Sequence, residues 1–283
     1  MLHQTLTAFL EASRSKKSYV QYRQMYQTQF LRWPDRLPTF LEIECWHQTL
    51  LPRPHYGNKA LSLLKAALTW GLRHELFVGQ NPATGVKRHP TISRDRVLAE
   101  QEVAIILSTL ELIPGKLAAL LCVLLLTGCR LSEALKMKRV DLDLVSGFWR
   151  QPHTKNGRPH NTYVPTQARA RLTGLGGSGE YYFEGVYAHH YARCSAEKVW
   201  LQVRASLGFQ NVRLHDFRRT LATHLYRATH DDMLVKRCLN HVNPSVTAIY
   251  IRIPLDDVRS ALQRQADAFY ALRHHPSLVA EVI

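Results

Sequence analysis

The stretch LHDFRRTLATHL, residues 214–225, sets one histidine and two adjacent arginines ahead of a run of small and apolar residues. On a helix His215 and Arg218 share a face, and Arg219 points about a quarter turn away. Leu221 and Leu225 bury the body of such a helix. Arg218 is then expected at its rim, where a guanidinium takes two oxygens of a phosphodiester at once. By itself the stretch fits a helix start with solvated arginines equally. A second arginine, Arg130 in TGCRLSEAL, comes just after the apolar run LAALLCVLLL at 117–126. A charge there is costly unless it is paired, and Glu133, three residues on, can orient the guanidinium. A purely structural Arg–Glu pair fits these residues too. Lys155 lies in SGFWRQPHTKNGRPHNTYVPT (146–166), beside an Asn-Gly tight-turn signal between strand-like ends. It is expected near the tip of a small antiparallel hairpin, where any exposed lysine would also fit. His241 and Tyr250, in LNHVNPSVTAIYIR, can be brought together by a turn at Asn243-Pro244, although an isolated tyrosine is usually packing.

These residues need elements to carry them. The first ninety residues read as all-helical. LTAFLEAS opens a short amphipathic helix, and Tyr19, Tyr22, Tyr26 and Phe30 share one face of the next. TFLEIECWHQTLL is a third, and NKALSLLKAALTWGLRHEL a fourth, with Leu61, Leu64, Leu68 and Leu72 on one stripe. The far side of the fourth offers Lys59, Lys65 and Arg73. GQNPATGVKRHPTISRDR (79–96) has two prolines, two glycines and no apolar period, which is a linker signature. It adds Lys87, Arg88, Arg94 and Arg96, and the domain boundary is placed near residue 90. Beyond it, VLAEQEVAIILSTLE is a helix with acidic residues in its first turn, 117–127 is a buried helix, and LSEALKMKRVDLD is another helix running into a turn. After the hairpin, GLGGSGE is a loop and the remainder reads as helical.

The chain has 283 residues, 37 Lys and Arg against 22 Asp and Glu, and a net charge of +15. Such a surface attracts polyanions, nucleic acid first and an anionic membrane second. Residues 1–90 hold 12 basic and 5 acidic side chains, a net of +7, while the remainder holds 25 and 17, a net of +8. The smaller piece is about twice as dense in positive charge. A basic helical module and a basic linker can close on a duplex together with the larger domain, phosphate contacts supplying most of the affinity. Five scattered cysteines without a CxxC pair suggest reduced thiols in a reducing compartment. There is no basic-then-apolar leader, and the longest apolar run is too short to span a bilayer.

Taken together, Arg130, Lys155, His215, Arg218, His241 and Tyr250 occur in an order that resembles the tyrosine recombinases, or phage integrase family. The resemblance covers most of 95–255, and its six positions hold the expected residue types. It implies a mainly α fold: a helical, SAM-like core-binding domain (1–90) and a mostly α catalytic domain with a small antiparallel sheet (91–283). Three departures stand out. Asn240 occupies a position where glycine is usual, and asparagine also tolerates left-handed backbone. Cys129 replaces an aliphatic residue or methionine. The hairpin return RPHNTYVP is less compact than the common form, which makes Arg158 a competitor for the role of Lys155.

What the resemblance implies is transesterification at a DNA phosphodiester. Arg130 and Arg218 clamp the non-bridging oxygens. Tyr250 is the nucleophile and forms a 3′-phosphotyrosyl bond, so rejoining needs no ATP. Lys155 protonates the leaving 5′-oxygen, His215 assists proton transfer at Tyr250, and His241 hydrogen-bonds the phosphate. Glu133 supports Arg130. No metal and no cofactor are expected, the partner is double-stranded DNA, and the working assembly is a homotetramer on synapsed duplexes formed from free monomers or dimers. The amphipathic stretch after Tyr250, with Val258, Leu262 and Phe269 on one side, docks on the neighbouring subunit in the resemblance; packing on its own domain is the alternative. A minimal, Xer-like or mobile-element recombinase in the cytoplasm, at the nucleoid, is the reading that results. A type IB topoisomerase-like nicking-closing enzyme shares the residue set, and a DNA-binding regulator on the same fold is the non-enzymatic alternative.

Overall fold

The computed structural model describes residues 1–92, 94–152, 159–185, 189–240 and 253–274. Contacts divide the chain into two compact units, Met1–Arg94 and Asp95–Ile283, and each has its own apolar core.

In the first unit four helices surround one core. α1 (Leu2–Ala12) buries Leu2, Leu6, Phe9 and Leu10 and packs on α4 (Pro54–Arg73). α2 (Tyr19–Met25) runs into a π turn over Tyr26–Phe30. The wider turn brings Met25 and Phe30 fully inside, with Tyr22 and Tyr26 against the core edge. α3 (Phe40–Thr49) starts on a reciprocal cap: the Glu42 amide donates to Thr39 Oγ1 at 3.2 Å and the Thr39 amide to Glu42 Oε2 at 2.8 Å. Pro54 sits at the start of α4, where its missing N–H has no helical partner to lose, and Leu61, Leu64 and Leu68 form the buried stripe.

The segment after α4 differs from the free linker its composition suggests. Its residues up to 92 have little regular structure, yet Ala83 and Val86 are buried in the core of the first unit. His89 is buried too, with its ring stacked on His47 at 3.8 Å and 8° between planes. Asn58 accepts from the His89 amide at 2.8 Å and donates to its carbonyl at 2.9 Å. Turn-forming residues end the helix here, but three inward side chains tie the chain down.

The second unit is built on α6 (Lys116–Thr127), every residue of which from Ala118 to Thr127 is buried. Around it pack α5 (Glu100–Leu112), α8 (Thr166–Thr173), α9 (Arg193–Ser206), α10 (Leu214–Thr229) and α12 (Leu255–Ala271). α11 (Asp232–Leu239) follows α10. β1 (Phe148–Gln151) and β2 (His160–Tyr163) pair antiparallel, with Gln151 opposite His160 and Phe148 opposite Tyr163. The helix expected over LSEALKMKRVDLD is a single turn, α7 (Leu131–Ala134). Tertiary pairing stops it: the Met137 carbonyl accepts from the Tyr182 amide at 3.0 Å and the Glu180 carbonyl from the Arg139 amide at 3.0 Å. The same pairing keeps 181–185 out of the helix expected there. α12 buries Val258, Ala261, Leu262, Ala266 and Phe269 in the core of its own unit, so this helix is a structural part of the unit and not a free docking arm. No helix among the described residues is long and apolar enough to cross a membrane.

Candidate active site

Two turns and one helix bring the described site residues together. Gly128 ends α6 in left-handed backbone at φ 62°. A Cβ there would fall 2.6 Å from Leu239 Cδ2 and 3.0 Å from Leu221 Cδ2, so the backbone favours glycine and a side chain would press on the ends of two buried leucines. The chain then turns into α7, with Arg130 at its N-cap. Glu133 Oε2 accepts from the Arg130 amide at 3.0 Å, and Glu133 Oε1 accepts from Arg130 Nη1 at 2.9 Å. One carboxylate thereby fixes the backbone and the guanidinium of the same residue. The pair is largely buried, Arg130 at 21% and Glu133 at 9% exposed, so solvent screens it weakly.

α10 supplies the second arginine. It is anchored at its middle by a contact that sequence periodicity does not show. The Leu98 amide donates to Thr220 Oγ1 at 3.0 Å, and His224 Nε2 donates to the Leu98 carbonyl at 2.8 Å. Two side chains one turn apart thus hold both backbone groups of the residue leading into α5. Leu221 and Leu225 fill the core beside them.

Arg218 does not sit at the rim. It is 5% exposed, its Nη1 donates to the Gly128 carbonyl at 2.7 Å, and its Nη2 donates to the Leu239 carbonyl. The reason is the position of these acceptors: two helix-terminal carbonyls, from α6 and α11, have no helical partner of their own and converge on one guanidinium. Burial, and then the nearby Arg130, pull the Arg218 pKa down to about 10. It remains charged at neutral pH. A guanidinium has five N–H donors, so two bound carbonyls leave donors for a further ligand. Arg219 is turned away onto Asp216 at 3.5 Å.

His215 is on the first turn of the same helix, with part of its surface open to solvent and part covered. Its pKa is lowered, chiefly by partial burial, then by Arg218 and Arg219, with Asp216 opposing and Arg130 adding to the fall. A neutral imidazole beside two arginines is suited to accept a proton. Burial pushes the Cys129 thiol up to about 12, which keeps it uncharged next to the cations. Asn240 adopts the left-handed conformation, φ 53° and ψ 47°, that closes α11, so asparagine forms the turn glycine would. Lys155, Arg158, His241 and Tyr250 lie outside the described residues.

The basic residues singled out for DNA divide by surroundings. Lys65 Nζ donates to the Val86 carbonyl at 2.8 Å and its pKa is lowered by burial, then by Arg88. It ties the 83–89 segment to α4. Lys59 donates to Gln21, Arg88 to Ser62 Oγ at 3.0 Å, and Arg96 pairs with Glu102. Arg94 is half-buried and engaged. Arg73 and Lys87 are exposed.

The architecture places the chain in a class. A lambda integrase dimer bound to a COC′ core site superposes with a TM-score of 0.70 over 89% of this chain and 98% of that one, at 18% identity. A lambda integrase tetramer bound to a Holliday junction gives 0.68 over 90% and 80%, at 17% identity. At such identities the likeness establishes the fold. In sequence, tyrosine recombinase XerA of Thermococcus kodakarensis is 27% identical over 219 residues, 74% of this chain and 76% of XerA. The model of the phage integrase family matches residues 96–254, a span that holds all the residues of the site. The chain belongs to the phage integrase family and is a tyrosine-type site-specific recombinase.

Proposed function

We propose that this recombinase cuts and rejoins duplex DNA through a 3′-phosphotyrosyl link at Tyr250, without ATP. The observation that carries the reading is the arginine pair. Arg130 is fixed by Glu133, Arg218 is fixed by two carbonyls, and the two lie close enough for one to depress the other. One carboxylate facing two guanidiniums leaves unbalanced positive charge in a largely buried place, and the group that balances it is an anion. A phosphodiester gaining charge in a pentavalent transition state is stabilised there more than in its ground state.

The remaining roles are those that the resemblance to the family implies. Tyr250 attacks phosphorus and expels the 5′-oxygen. Neutral His215 takes the tyrosine proton, Lys155 gives one to the leaving oxygen, and His241, next to the cap residue Asn240, hydrogen-bonds the phosphate. The bond energy is kept in the phosphotyrosyl ester, so attack by a second 5′-hydroxyl reseals the strand. The first unit, with Arg73 and Lys87 exposed, serves as the core-binding domain. Assembly as a tetramer on two duplexes, and action on nucleoid DNA in the cytoplasm, complete the reading. A nicked suicide duplex tests it on a denaturing gel. The wild type should form a covalent adduct in EDTA, and Tyr250→Phe should bind DNA without forming one. An adduct persisting in that variant, or a reaction needing added magnesium, contradicts the mechanism.

A further inference from the structure

The 83–89 segment carries a feature that strand transfer does not use: two buried imidazoles in face-to-face contact. His47 of α3 is 1% exposed and His89 is 6% exposed, and their rings stack at 3.8 Å with 8° between planes. His89 Nε2 lies 2.8 Å from the His47 carbonyl. A carbonyl only accepts, so this nitrogen carries the N–H of the ring. His47 Nε2 is buried with no hydrogen-bond partner among the described residues. A bare lone pair there costs some stability. A bare N–H⁺ in the same place costs far more.

The pair sits where α3, α4 and the segment meet. Gly57 of α4 leaves room for it: an ideal Cβ there would fall 3.4 Å from His89 Cδ2 and 2.9 Å from Leu50 Cβ. Asn58 of α4 brackets the His89 backbone, accepting from its amide and donating to its carbonyl. Lys65 Nζ holds the Val86 carbonyl at 2.8 Å, and Arg88 donates to Ser62 Oγ at 3.0 Å. The charged groups that α4 and the segment bring to this place are thus two cations. Among the described residues, no carboxylate pairs with either cation or with the two histidines. An imidazolium at His47 would have no anion to balance it. Burial, and then the facing His89, hold the His47 pKa below its ordinary value. His89 is also the last buried residue before the chain surfaces at Pro90, Thr91 and Ile92, so the ring contact sets how much chain is free after α4.

We propose that the stacked His47–His89 pair is an acid-released latch: with both rings neutral it clamps the 83–89 segment onto α3 and α4, and a proton on His47 frees the segment and lengthens the tether between the two units. The latch is independent of the strand-transfer chemistry. Released, His47 takes its proton at the ordinary histidine value of 6.5; latched, it takes it lower. The released state therefore binds more protons below pH 6.5, and the latch is whole above that value and weakens as pH falls through it. A stacked pair that only fills space is the alternative, and its hold does not change with pH.

The experiment is hydrogen exchange on the full chain at about pH 7.5 and about pH 5.5, corrected for the intrinsic pH dependence of exchange. Protection of peptides covering 83–89 should fall by up to about tenfold between the two, the effect of one proton. Peptides from the middle of α4 should keep theirs. In His47→Phe, which keeps a ring to stack but cannot take a proton, the 83–89 protection should be the same at both values. In Asn58→Ala, which loses the bracket on His89, it should be low at both. An unchanged wild type overturns the latch, as does an equal loss across α4, which would mean that the whole unit opens. A fall in His47→Phe as large as in the wild type overturns the role of His47. Where that variant does not fold, an NMR titration of the His47 Cε1–H signal in the wild type decides: its proton uptake must track the opening of 83–89, and uptake at a different pH overturns the proposal.

Discussion

Gly128→Ala is the substitution whose cost is most directly set by the geometry of the site. Gly128 holds φ 62° and ψ 12°, and an L-residue in that conformation costs about 1–2 kcal/mol. The added methyl would lie 2.6 Å from Leu239 Cδ2 and 3.0 Å from Leu221 Cδ2, both side chains being buried. Forcing a methyl into a packed core costs about 1–3 kcal/mol more. The sum, about 2–5 kcal/mol, corresponds to roughly 5–15 °C in Tm for a unit of this size. Gly176→Ala is the control, because Gly176 has φ 58° and nothing within 4 Å of its ideal Cβ, so it carries the backbone part alone. Calorimetry of the three proteins separates the two parts. Well below the melting temperature, Gly128→Ala should also form covalent adduct more slowly than its folded fraction allows, because the Gly128 carbonyl positions Arg218. Equal melting temperatures for the two variants would refute the packing argument. A normal rate in folded Gly128→Ala would refute the coupling to Arg218.

Two further outcomes follow from buried polar groups. Thr220→Val keeps the shape of the side chain but leaves the buried Leu98 amide unpaired, so urea denaturation should show a loss of about 1–3 kcal/mol; an unchanged midpoint would mean that the Leu98 clasp does not hold α10. Acid should also weaken the second unit. His160 binds its proton near pH 4 when folded and near 6.5 when unfolded, so the unfolded state holds more protons between those values. The stability from the neutral ring is fully present above pH 6.5 and is lost on acidification towards pH 4, about 3 kcal/mol in all. His215, also lowered, steepens the same trend. Urea midpoints at pH 7 and 4.5 should draw together in His160→Phe, and an acid loss as large as in the wild type would exclude His160 as its source.

Much of this was legible in the sequence, and the exceptions have physical causes. The α4 stripe of Leu61, Leu64 and Leu68, the buried α6 and the antiparallel pairing of β1 with β2 follow from patterns that are local. The motif residues Arg130, Glu133, His215 and Arg218 stand out because charges next to apolar runs demand partners. The burial of Arg218 is not legible, since its acceptors belong to Gly128 and Leu239, brought to it by two other helices, α6 and α11. α7 was overestimated because the pairing of 137–139 with 180–182 competes with helix propensity and wins. The 83–89 segment looked like a linker because turn residues hide its anchors, Ala83, Val86 and His89. His160 gave no signal at all: a histidine in a short strand is unremarkable until the groups around it are known.

The central claim is that an anion clamped by Arg130 and Arg218 is joined covalently to Tyr250. Its most direct test is to trap the wild-type adduct on a nicked duplex, digest it, and locate the DNA-linked peptide by mass spectrometry. The linked peptide should contain Tyr250 and carry the nucleotide through its 3′-phosphate. A nucleotide on another residue, or one attached through a 5′-phosphate, would contradict the account.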